Sequence, residues 1–390
     1  MALFWNEHKS EAKLQMDSAI RTACELGMFQ QEFAADQGGQ DLVIQECWRR
    51  TWWMLYTVDA YYAGTLGTMH FEVFDIDATV DLPCEESEYE LGEIPQPKTL
   101  QEFDCREFAP DDTVFSSFAY LIGAVQCAAL AISMGPKIAA SDDSPRIIQT
   151  ADSALNGWLL MLPKDRKKVM NKAGDIDELM FQAHLLIHVA TIGLHRPYSD
   201  LKFNPVEKAS SCAREPPQDT PTPDLVNVHT VRVLRSVEAQ IRLLALPTRH
   251  FNHTPFTTCM VSEGTLALLS ACKFLLKGKE LSIAREQIRM TIGCLKALAE
   301  RWPRTARNVR EIQTIAQHVL GFGTQAQPLN DRPRSQDVLG FSSAGENGIL
   351  GSDTGTSSDD FNILPSLGSI DDLCGWYNIG DLNPNISWES

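Results

Sequence analysis

Apolar residues in this chain recur three and four positions apart, block after block, and nowhere alternate in a sustained run. A helix brings every third or fourth side chain to one face, whereas a strand flips sides at each residue, so the pattern predicts an all-α chain. Residues 11–29 carry Leu14, Ala19, Ile20, Ala23 and Leu26, closed by Gly27. A second block opens at Asp41, a residue suited to an N-cap, and runs to Tyr62 with Ile44, Cys47, Trp48, Thr51, Leu55, Val58 and Tyr62 on one face. Further helices are expected at 112–134, 145–162, 178–195, 225–246, 255–277, 281–302 and 305–320. Asp175-Ile176-Asp177-Glu178 has the form of a capping box, Pro197 stops the helix it opens, and Thr254-Pro255 reads as a cap followed by a first-turn proline. Gln37-Gly38-Gly39-Gln40 reads as a loop, and residues 64–110 as a long irregular excursion lying across a surface. Five prolines make 203–224 a further loop.

The chain has 390 residues, of which 44% are hydrophobic, so most of its length can support a core. The character changes near residue 322. Residues 322–390 hold ten acidic residues against two basic ones, Arg332 and Arg334, among many Gly, Ser, Asn and Pro. Such a segment buries too little apolar surface to offset its ordering entropy, so disorder is expected there. The expected division is therefore a helical domain at 1–321 and an acidic-hydrophobic tail at 322–390. Acidic residues surround spaced apolar ones in the tail, which is the composition of an activation segment. In that reading Phe361, Leu364, Leu367, Leu373 and Trp376 are the anchors that meet a coactivator groove. A plain disordered tail has the same composition.

Charge and motif content narrow the function. A net charge of −17 argues against the chain being a nucleic-acid grip, because phosphate contacts need a basic face. Ten cysteines are scattered without a C-x-x-C pair, and most read as small buried hydrophobes in a reducing compartment. Met1 to Ser10 lacks the pattern of a signal peptide. The charge-free stretch Thr113–Pro136 has the length of a membrane span, but its serines, Gln126 and alanines favour a buried helix. His184, His188 and His195 have a spacing that two metal ligands can share, yet their neighbours are core residues and no H-E-x-x-H is present. His250 and His253 fare no better. Asp75, Asp77 and Asp81 lack the glycine and glutamate of a calcium loop and read as a solvated acidic stretch. Lys164-Asp165-Arg166-Lys167-Lys168 reads as a solvated turn before a nuclear-import patch. No phosphate-binding glycine motif or nucleophile elbow occurs, and nothing argues for an enzyme.

The most informative segment is Cys47-Trp48-Arg49-Arg50-Thr51-Trp52-Trp53-Met54-Leu55-Tyr56-Thr57-Val58-Asp59, a helix with three tryptophans and two arginines. Aromatics at this density anchor helix packing, and Arg49 or Arg50 has Asp59 or an acid of the following excursion as its partner. Trp52 and Trp53 point about 100° apart, so one is expected in the core and the other at a helix junction.

This segment resembles the signature of the fungal-specific transcription factor domain, the helical middle region of regulators that carry an N-terminal binuclear zinc cluster. The resemblance extends to Ala19–Met28 upstream, to Ile76-Asp77-Ala78-Thr79-Val80-Asp81-Leu82-Pro83 downstream, to Trp158-Leu159-Leu160-Met161-Leu162-Pro163, and to the helix end His195-Arg196-Pro197. It spans roughly residues 12–320. It departs where the family often has arginine and this chain has Ala60, and where the family has G-R-P and this chain has Gly67-Thr68-Met69. The six-cysteine zinc cluster, its linker and the first helices of the family have no counterpart here. The resemblance implies a nuclear regulator of a metabolic or secondary-metabolite gene set, without a cofactor in this chain. It implies protein partners, as a homo- or hetero-dimer or with a coactivator, no membrane, promoter DNA reached only indirectly, and a small-molecule effector. Arg49, Arg50, Trp52, Trp53, Asp59, Asp77, Pro83, His195, Arg196 and Pro197 are then its structural signature. The competing reading is a helical small-molecule-binding or protein-interaction module without DNA-binding activity.

Overall fold

The Asp41 side chain accepts hydrogen bonds from the backbone N–H groups of Val43 and Ile44, and Gly67 closes the helix with a left-handed φ of 72°. Between these caps lies the longest helix among the described residues, Leu42–Leu66. The computed structural model describes residues 1–67, 71–108, 110, 113–134, 144–171, 173–214, 227–247 and 253–321. In chain order its α-helices are α1 (Ala2–Trp5), α2 (Lys9–Glu25), α3 (Gln31–Gly38), α4 (Leu42–Leu66), α5 (Glu86–Leu91), α6 (Leu100–Asp104), α7 (Ser117–Ser133), α8 (Ser144–Leu160), α9 (Glu178–His195), α10 (Val228–Leu244), α11 (Thr257–Phe274), α12 (Gly278–Ala299) and α13 (Pro303–Leu320). Short 3₁₀ turns cover Arg106–Phe108, Arg196–Tyr198 and Pro205–Ala209. Among the described residues there is no strand, only the isolated bridges Leu82–Lys98 and Met170–Ile176. The fold is all-α.

One unit spans Met1–Gly321. At its centre α9 packs on α7, α8, α10 and α11. Its apolar residues run through Leu185-Leu186-Ile187 and Val189-Ala190, and even the polar row His184, Thr191 and His195 is buried, so most of its circumference is covered. The charge-free α7 lies against it, capped by the Ser116 hydroxyl and buried along most of its length. Phe118, Leu121, Ile122 and Val125 are almost fully covered, each worth about 1.5–3 kcal/mol relative to exposure. Gly123 is needed at this contact, because a Cβ there would sit 2.6 Å from Cε1 of the buried Phe103. No helix among the described residues is long and apolar enough to cross a membrane.

Several expectations need correction. In α2, Leu14 and Leu26 are exposed while Ala12, Ile20 and Ala23 are buried, since this peripheral helix presents only a narrow stripe to α1 and α4. In α4, Ile44, Cys47 and Thr51 lie on the outside, and the covered face carries Glu46, Arg49, Trp53 and Tyr56. Hydrophobicity chose the wrong face because two charged residues neutralise each other inside. The excursion after α4 is not solely a surface loop. Phe71, Val73, Val80 and Leu82 are buried, and Glu85-x-x-Glu88 and Thr99-x-x-Glu102 form capping boxes that open α5 and α6. Residues 31–38 are helical up to the glycine pair. The cap of α9 is Asp177, which accepts from the Met180 N–H at 3.0 Å, while Asp175 closes the turn begun at Asn171. Thr254 and Pro255 form the turn before α11, which begins at Thr257. The tail 322–390, with its anchors Phe361 to Trp376, lies outside the described residues, as do Thr68, Met69 and His250.

Candidate functional site

The signature helix is built around one buried carboxylate. Glu46, with no solvent exposure, accepts from Arg49 Nε at 2.8 Å, from Arg50 Nε at 2.9 Å and from the Cys84 backbone N–H at 2.9 Å. The spacing is i to i+3 and i+4, where helical neighbours meet. Arg50 continues outward, donating to Glu86 at 2.6 Å and to the carbonyls of Cys84 and Glu85, with its guanidinium 4.2 Å over the Tyr89 ring. Trp53 donates its indole N–H to the Asp81 carbonyl at 2.9 Å. Pro83 is buried, and its carbonyl accepts from the Ser116 hydroxyl that caps α7. Residues 81–86 are thus strapped over α4 at four points.

Trp52 and Trp53 are both fully buried, which corrects the expectation of one at a junction. Phe29, in the turn before α3, packs against Trp52, while Trp53 meets Tyr56 of the same helix, which in turn packs on Phe71 of the excursion. Asp59 pairs with neither arginine. Its carboxylate accepts from the Val73 N–H at 3.2 Å, and burial raises its pKa. Asp77 is exposed, whereas Asp81 is buried, accepts from Gln31 Nε2 at 2.9 Å, and has its pKa raised by burial. The solvated reading of this acidic stretch fails for Asp81.

Arg166, read as part of a solvated turn, is a hub. It donates to Glu85 at 2.6 Å and to the Phe115 carbonyl at 3.3 Å, and bonds Ser117 beside the α9 cap Asp177. Lys164, Lys167 and Lys168 are exposed around it.

At the far end of α9, His195 lies between Asp152 (Nε2 to Oδ1, 3.0 Å) and His229 (Nδ1 to Nδ1, 2.8 Å), and Arg232 holds the other oxygen of Asp152 at 2.8 Å. Burial lowers the pKa of His229 to about 4, with His195 adding to it. Arg196 donates to both oxygens of Glu207, at 2.9 and 2.8 Å, and stacks 4.2 Å over Phe203. Pro197 sits in the 3₁₀ turn that ends the helix. A histidine oriented by an aspartate can relay a proton, but this pair lines neither of the two cavities described next. His184 donates from Nε2 to the Arg166 carbonyl at 3.2 Å, and His188 is held neutral by burial, its pKa about 3. Among the described residues no three His, Cys, Asp or Glu converge as metal ligands.

Two cavities flank Tyr61. The smaller, about 70 Å³, is lined by apolar residues of α4, α7 and α9 and by Cys212, Arg214, Cys259 and Glu263. The larger, about 320 Å³, has apolar walls at Met54, Leu121, Leu179 and Trp302, with Gln182, His253 and Arg301 as polar groups. Glu178 orients two of these, bonding His253 Nδ1 at 2.6 Å and Gln182 Nε2 at 3.1 Å. His253 also stacks flat on Phe181 with ring centroids 3.8 Å apart. Sequence reading missed Glu178, Asp152, His229, Glu207 and the Cys212–Cys259 pair. Only the Glu46 spacing to Arg49 and Arg50 carried a local signal.

The profile of the fungal specific transcription factor domain matches residues 14–118, the stretch from α2 to the start of α7. A curated relative, the C6 finger domain transcription factor iacK of Pestalotiopsis fici, is 33% identical over 317 residues, which is 81% of this chain and 46% of the relative. The chain therefore spans about half the length of the curated relative it matches. No solved structure matches the chain.

Proposed function

Because residues 14–118 of this chain belong to the fungal specific transcription factor domain family, we propose that it is the helical regulatory part of a nuclear transcription regulator. The observation that carries the reading is the 33% identity to a C6 finger transcription factor across four-fifths of the chain, well beyond the profile match. The gene set is metabolic, in line with the family resemblance. This chain's residues do not grip DNA themselves: the net charge is −17, which disfavours phosphate contacts. Promoter contact comes from a zinc cluster or a protein partner outside these residues. The strap over α4 keeps the regulatory unit rigid, and the acidic tail, with Phe361, Leu364, Leu367, Leu373 and Trp376, recruits a coactivator.

The larger cavity supports effector response. Its volume lies at the low end of ligand sites, which run from about 300 to 1,000 Å³, and its polar groups converge from α9 (Gln182), the turn before α11 (His253) and the turn between α12 and α13 (Arg301). A small, mostly apolar molecule with one or two polar groups fits it.

The test is a reporter assay with residues 1–390 fused to a foreign DNA-binding domain. Activation above background that falls when Leu367, Leu373 and Trp376 become Ala is the expected result. Background signal from the fusion, or a triple Ala variant as active as the parent, overturns the regulator reading. In a mobility shift at physiological salt, the unfused chain is expected to bind promoter fragments without sequence preference.

A further inference from the structure

The smaller cavity holds a feature that the regulatory reading does not use. Cys212, in the turn after Pro205–Ala209, and Cys259, in the first turn of α11, bring their sulfurs to 2.7 Å. That is within about 0.7 Å of the bonded S–S distance of about 2.05 Å. Both residues line the cavity. At about 70 Å³ it has room for several waters, each taking about 10–15 Å³ by this measure, so a molecule the size of hydrogen peroxide fits.

The surroundings fix the pair and divide the work between its members. Ser210 Oγ accepts from the Cys212 N–H at 3.3 Å, and the Ser211 N–H donates to Glu311 at 2.7 Å, so the turn carrying Cys212 is pinned to α13. Asn308 Nδ2 approaches the Cys212 sulfur at 3.4 Å. Cys259 sits at the positive end of an 18-residue helix. Arg304 is 97% buried over the rings of Phe4 and Trp5, and its Nε and Nη1 have no hydrogen-bond partner. The Cys212 thiol and the Arg304 guanidinium both favour the Cys259 thiolate, whose pKa is lowered, while Cys212 is pushed up as the proton donor of the pair. Burial instead raises Cys84, Cys127 and Cys272 to about 11, which keeps them protonated and inert.

We propose that Cys212 and Cys259 are an oxidisable dithiol, a modification site at which a small hydroperoxide is reduced and the two sulfurs are joined. The Cys259 thiolate attacks the peroxide, its S–O bond forms as the O–O bond breaks, and the hydroxide that leaves takes up the proton released when Cys259 ionised, becoming water. The Cys212 sulfur then attacks the Cys259 sulfenic acid. An S–S bond forms, the S–O bond breaks, and the departing hydroxide takes the Cys212 proton as water. Two thiols lose two electrons and one peroxide becomes two waters. A reducing compartment reverses the bond, which is the setting in which intracellular disulfides act as sensors. Closure ties the turn at 210–214 to α11 and takes from Arg304 its thiolate neighbour.

The test uses the reduced full chain, treated with equimolar hydrogen peroxide, alkylated and mapped by peptide mass. The expected product is a single intramolecular Cys212–Cys259 link, formed at least about tenfold faster than oxidation at Cys127 or Cys272. In Cys212→Ser, dimedone should capture a sulfenic acid at Cys259. In Cys259→Ser, Cys212 should remain a free thiol. Recovery of Cys212 and Cys259 as free thiols while the exposed Cys47 or Cys105 is oxidised overturns the proposal, as does dimedone capture at Cys212 in Cys259→Ser. If both variants misfold, the map of the unsubstituted chain decides alone.

Discussion

Replacing Glu46 by Ala removes one carboxylate that three donors share, and the structure allows the cost to be worked out. Arg49 is 3% exposed and its ion-pair partner is Glu46, so the substitution strands a buried guanidinium. Breaking a buried ion pair from one side costs about 3–5 kcal/mol, because the remaining charge keeps its desolvation penalty. The Cys84 N–H loses its acceptor, a further cost of about 1–3 kcal/mol when no water replaces it. Two features reduce the sum. Arg50 keeps Glu86 and two carbonyls, and Arg49 lies close enough to Asp81 to favour its carboxylate. The net expectation is a loss of about 3–4 kcal/mol, a large share of the 5–15 kcal/mol that folded proteins hold in reserve. Urea unfolding of the full chain, followed by far-UV circular dichroism, measures it as a lower midpoint with unchanged slope. The companion is Glu46→Gln with Arg49→Met, which removes both members of the pair and should recover part of the loss. A Glu46→Ala midpoint within about 0.5 kcal/mol of the parent, or a double variant weaker than the sum of the singles, would refute the argument that a stranded charge sets the cost.

Trp52→Ala and Trp53→Ala should each cost about 3–5 kcal/mol in the same assay, with Trp53→Ala also freeing the Asp81 carbonyl; an unchanged midpoint for either contradicts its burial. Gly123→Ala should cost about 1–3 kcal/mol, because Phe103 is held by Phe115 and Tyr120 and cannot yield to a Cβ 2.6 Å from its ring; a neutral result means the contact relaxes. Acid should weaken the fold through two half-buried histidines, His188 and His229. Their folded pKa values, about 3 for His188 and about 4 for His229, lie below the unfolded value of about 6.5. Their stabilisation is therefore complete above about pH 6.5 and lost as pH falls through the folded values, and His229→Gln should flatten the stability profile between about pH 6 and 4.

Helix type and approximate place were determined by the sequence, because apolar spacing and caps are local. Asp41, Gly67 and the uncharged run of α7 each act within one or two turns of the backbone that they shape. The family, too, was legible in short ordered motifs from Trp48 to Pro197. The covered face of α4 was not. A charged residue reads as exposed until its partner is known, and the second anchor of Arg50 is Glu86, 36 positions on, beyond any helical period. The same holds for Arg166 with Glu85, for His195 between Asp152 and His229, and for Cys212 beside Cys259, which are 81, 43, 34 and 47 positions apart. Tertiary packing alone decides such pairs, since burial makes a polar group depend on whichever partner the fold delivers.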